Sequence, residues 1–297
     1  MELHLVDATY ELFRAHFAPR PPVIGRDGRN LSGVSGLVEQ LLHLLRDERA
    51  SHVGCATDRV VRSFRNDLYP GYKTEAGMAA ELLAQFPLAE QAIEALGLVL
   101  WPMVELEADD ALATAAARWV DDPAVERIVI CSVDKDLAQC VVGGRVVLWD
   151  RRRGIVYDDD GVRTKWGVAP TSIPDYLALV GDAADGYPGL PGWGAKTAAA
   201  VLARYATLAA IPAQASDWDV ASVRGAVTLA AVLRERADEV RLYRDLARLR
   251  LDAPIPQRDP AELAWRGADH AAWYGLCDRL GLERLRDRPH RWRPDEG

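Results

Sequence analysis

Long apolar runs are what this 297-residue chain most plainly lacks. A membrane-crossing helix needs about 18 consecutive apolar residues, and no such stretch occurs. The opening MELHLVDATYELFRAHFA carries acids and lacks the charge and apolar zoning of a secretory signal, so a cytoplasmic protein is expected. Cysteine is scarce: Cys55, Cys131, Cys140 and Cys277 form no C-x-x-C pair and no Cys/His ligand spacing. Cys55 and Cys131 lie in apolar, strand-like runs, which fits buried free thiols in a reducing compartment rather than a disulfide scaffold. The six histidines are scattered and offer no imidazole metal site. Internal repeats and low-complexity segments are absent too. Positive charge is also in deficit. The net charge of −8 argues at first sight against a nucleic-acid partner, but that inference depends on where the acids are.

What is present is an alternation. Three apolar, β-branched segments each end in aspartate: LHLVD at Asp7, HVGCATD at Asp58 and RIVICSVD at Asp134. A fourth run, LGLVLWPMVE, precedes Glu107. Helical patterns lie between them, in SGLVEQLLHLLRDE, AELLAQFPLAEQAIEALG and ADDALATAAARWV. Strands alternating with helices predict an α/β fold with a mostly parallel sheet flanked by helices. Ligands of such sheets bind beyond the carboxyl ends of the strands, so the strand-end acids are expected to converge at one rim. GGRVVLWDRRRGIVYDDDG reads as two short strands with a basic link, at the sheet edge. From about residue 161 the pattern turns helical, which divides the chain into an α/β core over 1–160 and a helical subdomain over 161–297. Within the latter, Ile173, Tyr176, Leu177 and Val180 recur at helical spacing, and Lys196–Tyr205 is an Ala-rich second helix. GYPGLPGWG between them is a Gly/Pro turn. The free N–H groups at the start of that second helix, with Lys196 beside them, suit a phosphate.

The carboxylates carry the chemistry. Glu107, Asp109 and Asp110 open a helix, where acids favour the dipole and cap free N–H groups. Asp182 and Asp185 sit at a helix C-terminus, where acids oppose it. Taken with Asp7, Asp58, Asp134 and Asp136, these nine acids account for the whole deficit: without them the net charge becomes +1. So many like charges at one rim demand cations. All-oxygen ligands suit Mg²⁺ or Mn²⁺, and two such ions can activate water and stabilise the leaving oxygen of a phosphodiester. Segment 59–73, RVVRSFRNDLYPGYK, interleaves Arg62, Arg65 and Lys73 with Phe64, Tyr69 and Tyr72, a pattern for phosphates and stacked bases. Arg62 reads as a solvated surface charge, while Arg65 and Lys73 are candidates for the rim. Arg14 lies one helical segment after Asp7.

Five blocks in order, LHLVDATYELFRAHFA, CATDRVVRSFRNDLYPGYK, ELEADDALATAA, CSVDKDLAQ and GDAADGYPGLPGWGAKTAAAVL, resemble the 5′-nuclease family. That family comprises the 5′→3′ exonuclease domain of bacterial DNA polymerase I and the related flap endonucleases. The resemblance covers nearly the whole chain and implies a metal-dependent 5′→3′ exonuclease or 5′-flap endonuclease, with roles in DNA repair or replication. It implies that Asp7, Asp58, Glu107, Asp109 and Asp110 surround a first divalent ion, and Asp134, Asp136, Asp182 and Asp185 a second, more loosely held one. Lys73 and Arg65 match residues that contact the scissile phosphate, Arg14 an arginine near the first strand, and Tyr72 an aromatic residue before that lysine. The 172–205 segment resembles a helix–three-turn–helix motif. Gly189, Gly192, Gly194, Lys196 and Thr197 are its expected contacts to duplex phosphates, and its loop carbonyls an expected site for a monovalent cation such as K⁺. Residues 70–95 resemble the arch under which a single-stranded 5′ end passes. Gly186, Tyr187, Trp193, Ser132 and Val133 depart from the family's usual residues without removing a metal ligand. The expected partner is DNA with a 5′ end or flap beside duplex, with no membrane and no identifiable protein partner, at the nucleoid when bound. The chain is expected to be free-standing, with no polymerase module. The rival readings are a non-catalytic DNA-structure-binding homologue and a small-molecule phosphatase with Asp7 as nucleophile. The phosphatase would need a second acid where Thr9 stands.

Overall fold

A computed structural model describes residues 1–220 and 223–294. Its strands are β1 (Glu2–Asp7), β2 (His52–Asp58), β3 (Val99–Met103), β4 (Arg127–Cys131), β5 (Val146–Asp150) and β6 (Ile155–Tyr157). The helices of its first half are α1 (Ala8–His16), α2 (Ser32–Arg46), α3 (Phe64–Leu68), α4 (Ala80–Leu83), α5 (Phe86–Ala95) and α6 (Ala108–Trp119). Those that follow are α7 (Asp159–Trp166), α8 (Ile173–Val180), α9 (Ala195–Tyr205), α10 (Ala226–Glu235), α11 (Ala237–Ala247), α12 (His270–Leu280) and α13 (Glu283–Arg286). Contacts divide the chain into two compact units, each drawn from separate stretches.

The first unit comprises Met1–Val61, Glu75–Ser132 and Leu251–Gly297. Its four strands run parallel in the order β3-β2-β1-β4. They read as continuous apolar runs because helices cover both faces of such a sheet. The register sets Asp7 opposite Ala56 and Asp58 opposite Met103, so both aspartates leave the sheet at the same end. Gly54 in β2 makes room for a neighbour: a Cβ there would lie 2.4 Å from the ring of Trp101, which is buried and packs on Trp119. Helix α6 packs on β1, β2 and β3, and α2 packs on α1 and α5. The last stretch of the chain returns to this unit. There α12 packs on α5, and Trp265 Nε1 donates to the Leu96 carbonyl at 2.8 Å.

The second unit comprises Arg62–Thr74 and Val133–Arg250. It is mostly helical and carries the antiparallel pair β5–β6. Short helix α3 belongs to it because α3 packs on α11, with Arg65 Nε donating to the Leu246 carbonyl at 2.8 Å and Nη2 to the Arg248 carbonyl at 3.2 Å. Arginine suits these free carbonyls at a helix C-terminus. Helix α8 packs on both α9 and α11. The turn between α8 and α9 folds back on itself, and Leu190 N–H donates to the Leu179 carbonyl at 2.8 Å. Gly181 (φ +80°) and Gly189 (φ +70°) face each other there, and a Cβ on either would come within 2.6 Å of the other strand's backbone. Only glycine meets both demands. The fold class is thus the expected one, α/β with a mostly parallel sheet flanked by helices and a helical partner unit. Among the described residues, no helix is long and apolar enough to cross a membrane.

Candidate functional site

The second unit gathers three of the expected acids tightly. Asp136, Asp182 and Asp185 are all buried, and one carboxylate oxygen from each lies within 4.8 Å of the others. A local hairpin presents two of them: Asp182 N–H donates to the Tyr187 carbonyl at 2.8 Å, and Tyr187 N–H returns to the Asp182 carbonyl at 3.0 Å. Within that hairpin Asp182 Oδ1 accepts from the Ala184 N–H at 2.9 Å, an Asx turn that fixes its rotamer. Asp136 opens a 3₁₀ turn, and its N–H donates to Asp134 Oδ1 at 2.9 Å. Two lysines reach the cluster. Lys73 Nζ is 3.0 Å from Asp185 Oδ1, and Lys135 Nζ is 2.7 Å from Asp182 Oδ2.

The electrostatics ask for more positive charge than these lysines bring. Burial pushes the Asp136 carboxyl well above its ordinary range, and the charges of Asp134, Asp185 and Asp182 push it further, against the opposing pull of Lys73. Asp136 Oδ1 is buried without a hydrogen-bond partner. Burial alone would lower the Lys135 ammonium, but the hydrogen bond and charge of Asp182, then Asp136 and Asp134, hold it above the usual lysine value. An orphaned buried carboxylate oxygen inside an all-oxygen donor set fits a hard divalent cation.

In the first unit the remaining acids stand at the carboxyl end of the parallel strands. Asp7 ends β1 and caps α1, its Oδ1 accepting from the Tyr10 N–H at 2.8 Å and its Oδ2 from the Ser132 hydroxyl at 2.9 Å. Asp58 ends β2; its Oδ1 accepts from the Ala108 N–H at 2.7 Å, and its own N–H donates to Thr9 Oγ1 at 2.8 Å. Asp110 is fully buried, with Oδ2 accepting from the Glu107 N–H at 3.0 Å. Glu107 is buried, and Asp109 is half-buried on the first turn of α6. Helix-start chemistry therefore engages one oxygen each of Asp7, Asp58 and Asp110. Arg14 Nε donates to Glu11 at 3.0 Å.

The expected phosphate contacts divide. Arg65 is only 1% exposed, with Nε and Nη2 on backbone carbonyls, so its place is that of a buried support for α3 rather than a surface cation. Tyr72 is also buried, with Lys73 Nζ 5.5 Å from its ring centre. Gly192, Gly194 and Lys196 are exposed and Thr197 half-exposed at the start of α9, whose first turn has no side-chain cap. Gly189 is buried within the turn. Sequence reasoning missed Lys135, although its place between two aspartates in SVDKDLAQ is a readable signal. It also did not foresee the hydrogen bonds between Glu11 and Arg14, Ser132 and Asp7, and Thr9 and Asp58, whose partners are distant or one turn away and leave no local signature.

Comparison with known proteins gives the family and the fold. Residues 2–167 match the family described as 5′-3′ exonuclease, N-terminal resolvase-like domain, and residues 168–271 the one described as 5′-3′ exonuclease, C-terminal SAM fold. DNA polymerase I of Mycobacterium leprae is 33% identical over 292 residues, covering 96% of this chain and 31% of that protein. DNA polymerase I of Rhizobium leguminosarum is 36% identical over 261 residues, covering 85% of this chain and 25% of that protein. The chain thus spans about a third or less of the length of these curated relatives. Among solved structures, T5 5′-exonuclease with bound zinc superposes with a TM-score of 0.65 at 18% identity, over 97% of this chain and all of that one. The catalytic core of Rad2 in complex with a DNA substrate gives 0.61 at 16% identity, over 94% and 88% of the two chains. Those likenesses are of fold. The matched family models cover most of the sequence, and the chain belongs to the 5′-3′ exonuclease family.

Proposed function

We propose that this protein is a divalent-metal-dependent 5′→3′ exodeoxyribonuclease and 5′-flap endonuclease, hydrolysing DNA phosphodiesters near a 5′ end or a junction with duplex. The observation that carries the reading is the buried Asp136–Asp182–Asp185 trio, with an orphaned carboxylate oxygen and Lys73 at its edge. Asp134, Asp136, Asp182 and Asp185 would hold one Mg²⁺ or Mn²⁺, and Asp7, Asp58, Glu107, Asp109 and Asp110 a second. When bound, such ions lower the pKa of water and stabilise the leaving oxygen. The chain's own groups do the rest. Lys73 offers its ammonium to the scissile phosphate, and its tether to Asp185 keeps that charge beside the acids. Arg14 would contribute from α1, and Arg65 through its support of α3. The exposed start of α9, with Gly192, Gly194, Lys196 and Thr197, would take duplex phosphates on free N–H groups. Gly189 shapes the turn whose carbonyls would hold K⁺. T5 flap endonuclease, at 17% identity and a TM-score of 0.63, is described in complex with DNA and metal ions, which supports DNA as the partner here.

The test is cleavage of end-labelled substrates with 5′ flaps, 3′ flaps or blunt ends in Mg²⁺. Release of short products from the 5′ end, or of the whole 5′ flap, supports the reading. Cleavage of none of them, with intact binding, would overturn it in favour of a DNA-structure binder.

A further inference from the structure

Lys73 is held against the acid hairpin along its backbone as well as by its charge. Its N–H donates to the Asp185 carbonyl at 2.9 Å, the same residue whose carboxylate meets its Nζ at 3.0 Å. On the other side Asn66 Nδ2 donates to the Lys73 carbonyl at 2.9 Å. This close approach requires glycine on the hairpin side. Gly186 has φ +88°, and a Cβ there would stand 2.3 Å from the Gly71 carbonyl oxygen, a backbone atom that cannot swing away. Within its own segment, Gly71 leaves room for the Tyr69 ring, from which a Cβ would stand 2.7 Å.

Behind this seam lies a row of three tyrosines. Tyr69 meets Tyr243 of α11 edge to face at 6.0 Å, and Tyr243 stacks on Tyr187 at 5.6 Å with planes 23° apart. Tyr187 is 1% exposed and its hydroxyl has no hydrogen-bond partner, so what it supplies is ring area, not a polar contact. The row connects the segment that carries Lys73 to the hairpin that carries Asp182 and Asp185.

We infer that Gly186 and Tyr187 are positioning residues for Lys73: the Gly71–Gly186 seam and the Tyr69–Tyr243–Tyr187 row fix its ammonium beside the acid trio. The inference rests on the nuclease reading of Lys73. A misplacement of about 1 Å can cost about a hundredfold in rate. Gly186→Ala separates the strands by roughly that distance, and Lys73 moves with its strand.

The experiment is a double-mutant cycle on the 5′-flap substrate in Mg²⁺, with crystal structures of the wild type and Gly186→Ala. Gly186→Ala should lower kcat about 10- to 100-fold with KM within about twofold. Adding it to Lys73→Ala should cost less than about threefold more, because both changes remove one interaction. The Lys73 Nζ–Asp185 Oδ1 distance should lengthen in the variant crystal. Tyr187→Leu should show the same kcat loss, and Tyr187→Phe should rescue it; this pair carries the test if Gly186→Ala does not fold. Additive losses in the cycle, an unchanged Nζ–Oδ1 distance, or a Tyr187→Phe as impaired as Tyr187→Leu would overturn the inference. A wild type that does not cleave counts against the nuclease reading instead, and the crystallographic distance still judges the seam.

Discussion

Asp136 is where, on the proposed function, a proton and a cation would compete. Its carboxyl is buried among Asp134, Asp185 and Asp182 and titrates well above the ordinary 3.8. A folded state that holds a proton more tightly than the unfolded chain is favoured at low pH. The stability this group contributes is therefore full below the ordinary value and lost as pH rises through the folded one. In EDTA, the Tm of the wild type should fall relative to Asp136→Asn as pH rises above about 4. Mg²⁺ or Mn²⁺ at about 100-fold its Kd should restore about 2.7 kcal/mol to the wild type and much less to the variant. Parallel Tm curves for the two proteins in EDTA would contradict this account of Asp136. Lys196 belongs to the same scale, and the proposed function gives it a role on DNA alone. Lys196→Ala should leave Tm unchanged, weaken duplex binding and reduce the slope of log affinity against log salt by about 1. An unchanged slope would remove Lys196 from the interface. Single residues differed in how readable they were. The acids showed in the sequence because each ends a strand or flanks a helix. Arg65 did not, because its partners are carbonyls at the end of a helix about 180 residues later, and nothing local distinguishes that arginine from a surface one.

The α8–turn–α9 element was the most legible part of the chain. Apolar spacing in Ile173–Val180 and the Ala-rich run fix the helices, and Gly and Pro fix the break. What the sequence did not reveal is why the glycines are there. Gly181 and Gly189 are paired across the turn by mutual steric exclusion, a contact between residues eight apart that no periodicity encodes. Gly189→Ala should lose about 2 kcal/mol or more, since it adds left-handed backbone strain to an overlap that backbone cannot relieve. It should also lower duplex affinity by disturbing the start of α9. A Tm within a degree of wild type would show that the turn tolerates a side chain after all.

At the scale of the whole molecule, linear order and compactness divide the chain differently. The sequence changes character near residue 161, yet the compact units draw Arg62–Thr74 together with Val133–Arg250 and return Leu251–Gly297 to the sheet. Such exchanges rest on packing between distant segments, as α3 on α11 and α12 on α5, which composition does not record. Charge is the other global property. The −8 net charge is an obstacle to DNA until the carboxylates named above are neutralised. Flap-DNA affinity should therefore be weaker in EDTA than in Ca²⁺, read by anisotropy at fixed ionic strength, and equal affinities would refute the role given to those acids. The central claim is that buried carboxylates hold metal for phosphodiester hydrolysis. Its most direct test is single-turnover cleavage of a 5′-flap duplex by the wild type and Asp136→Ala, each in Mg²⁺, Mn²⁺ and EDTA. The account predicts product only with metal, and a rate at least about a hundredfold lower in Asp136→Ala. Cleavage that survives EDTA, or an Asp136→Ala protein as fast as wild type, would contradict it.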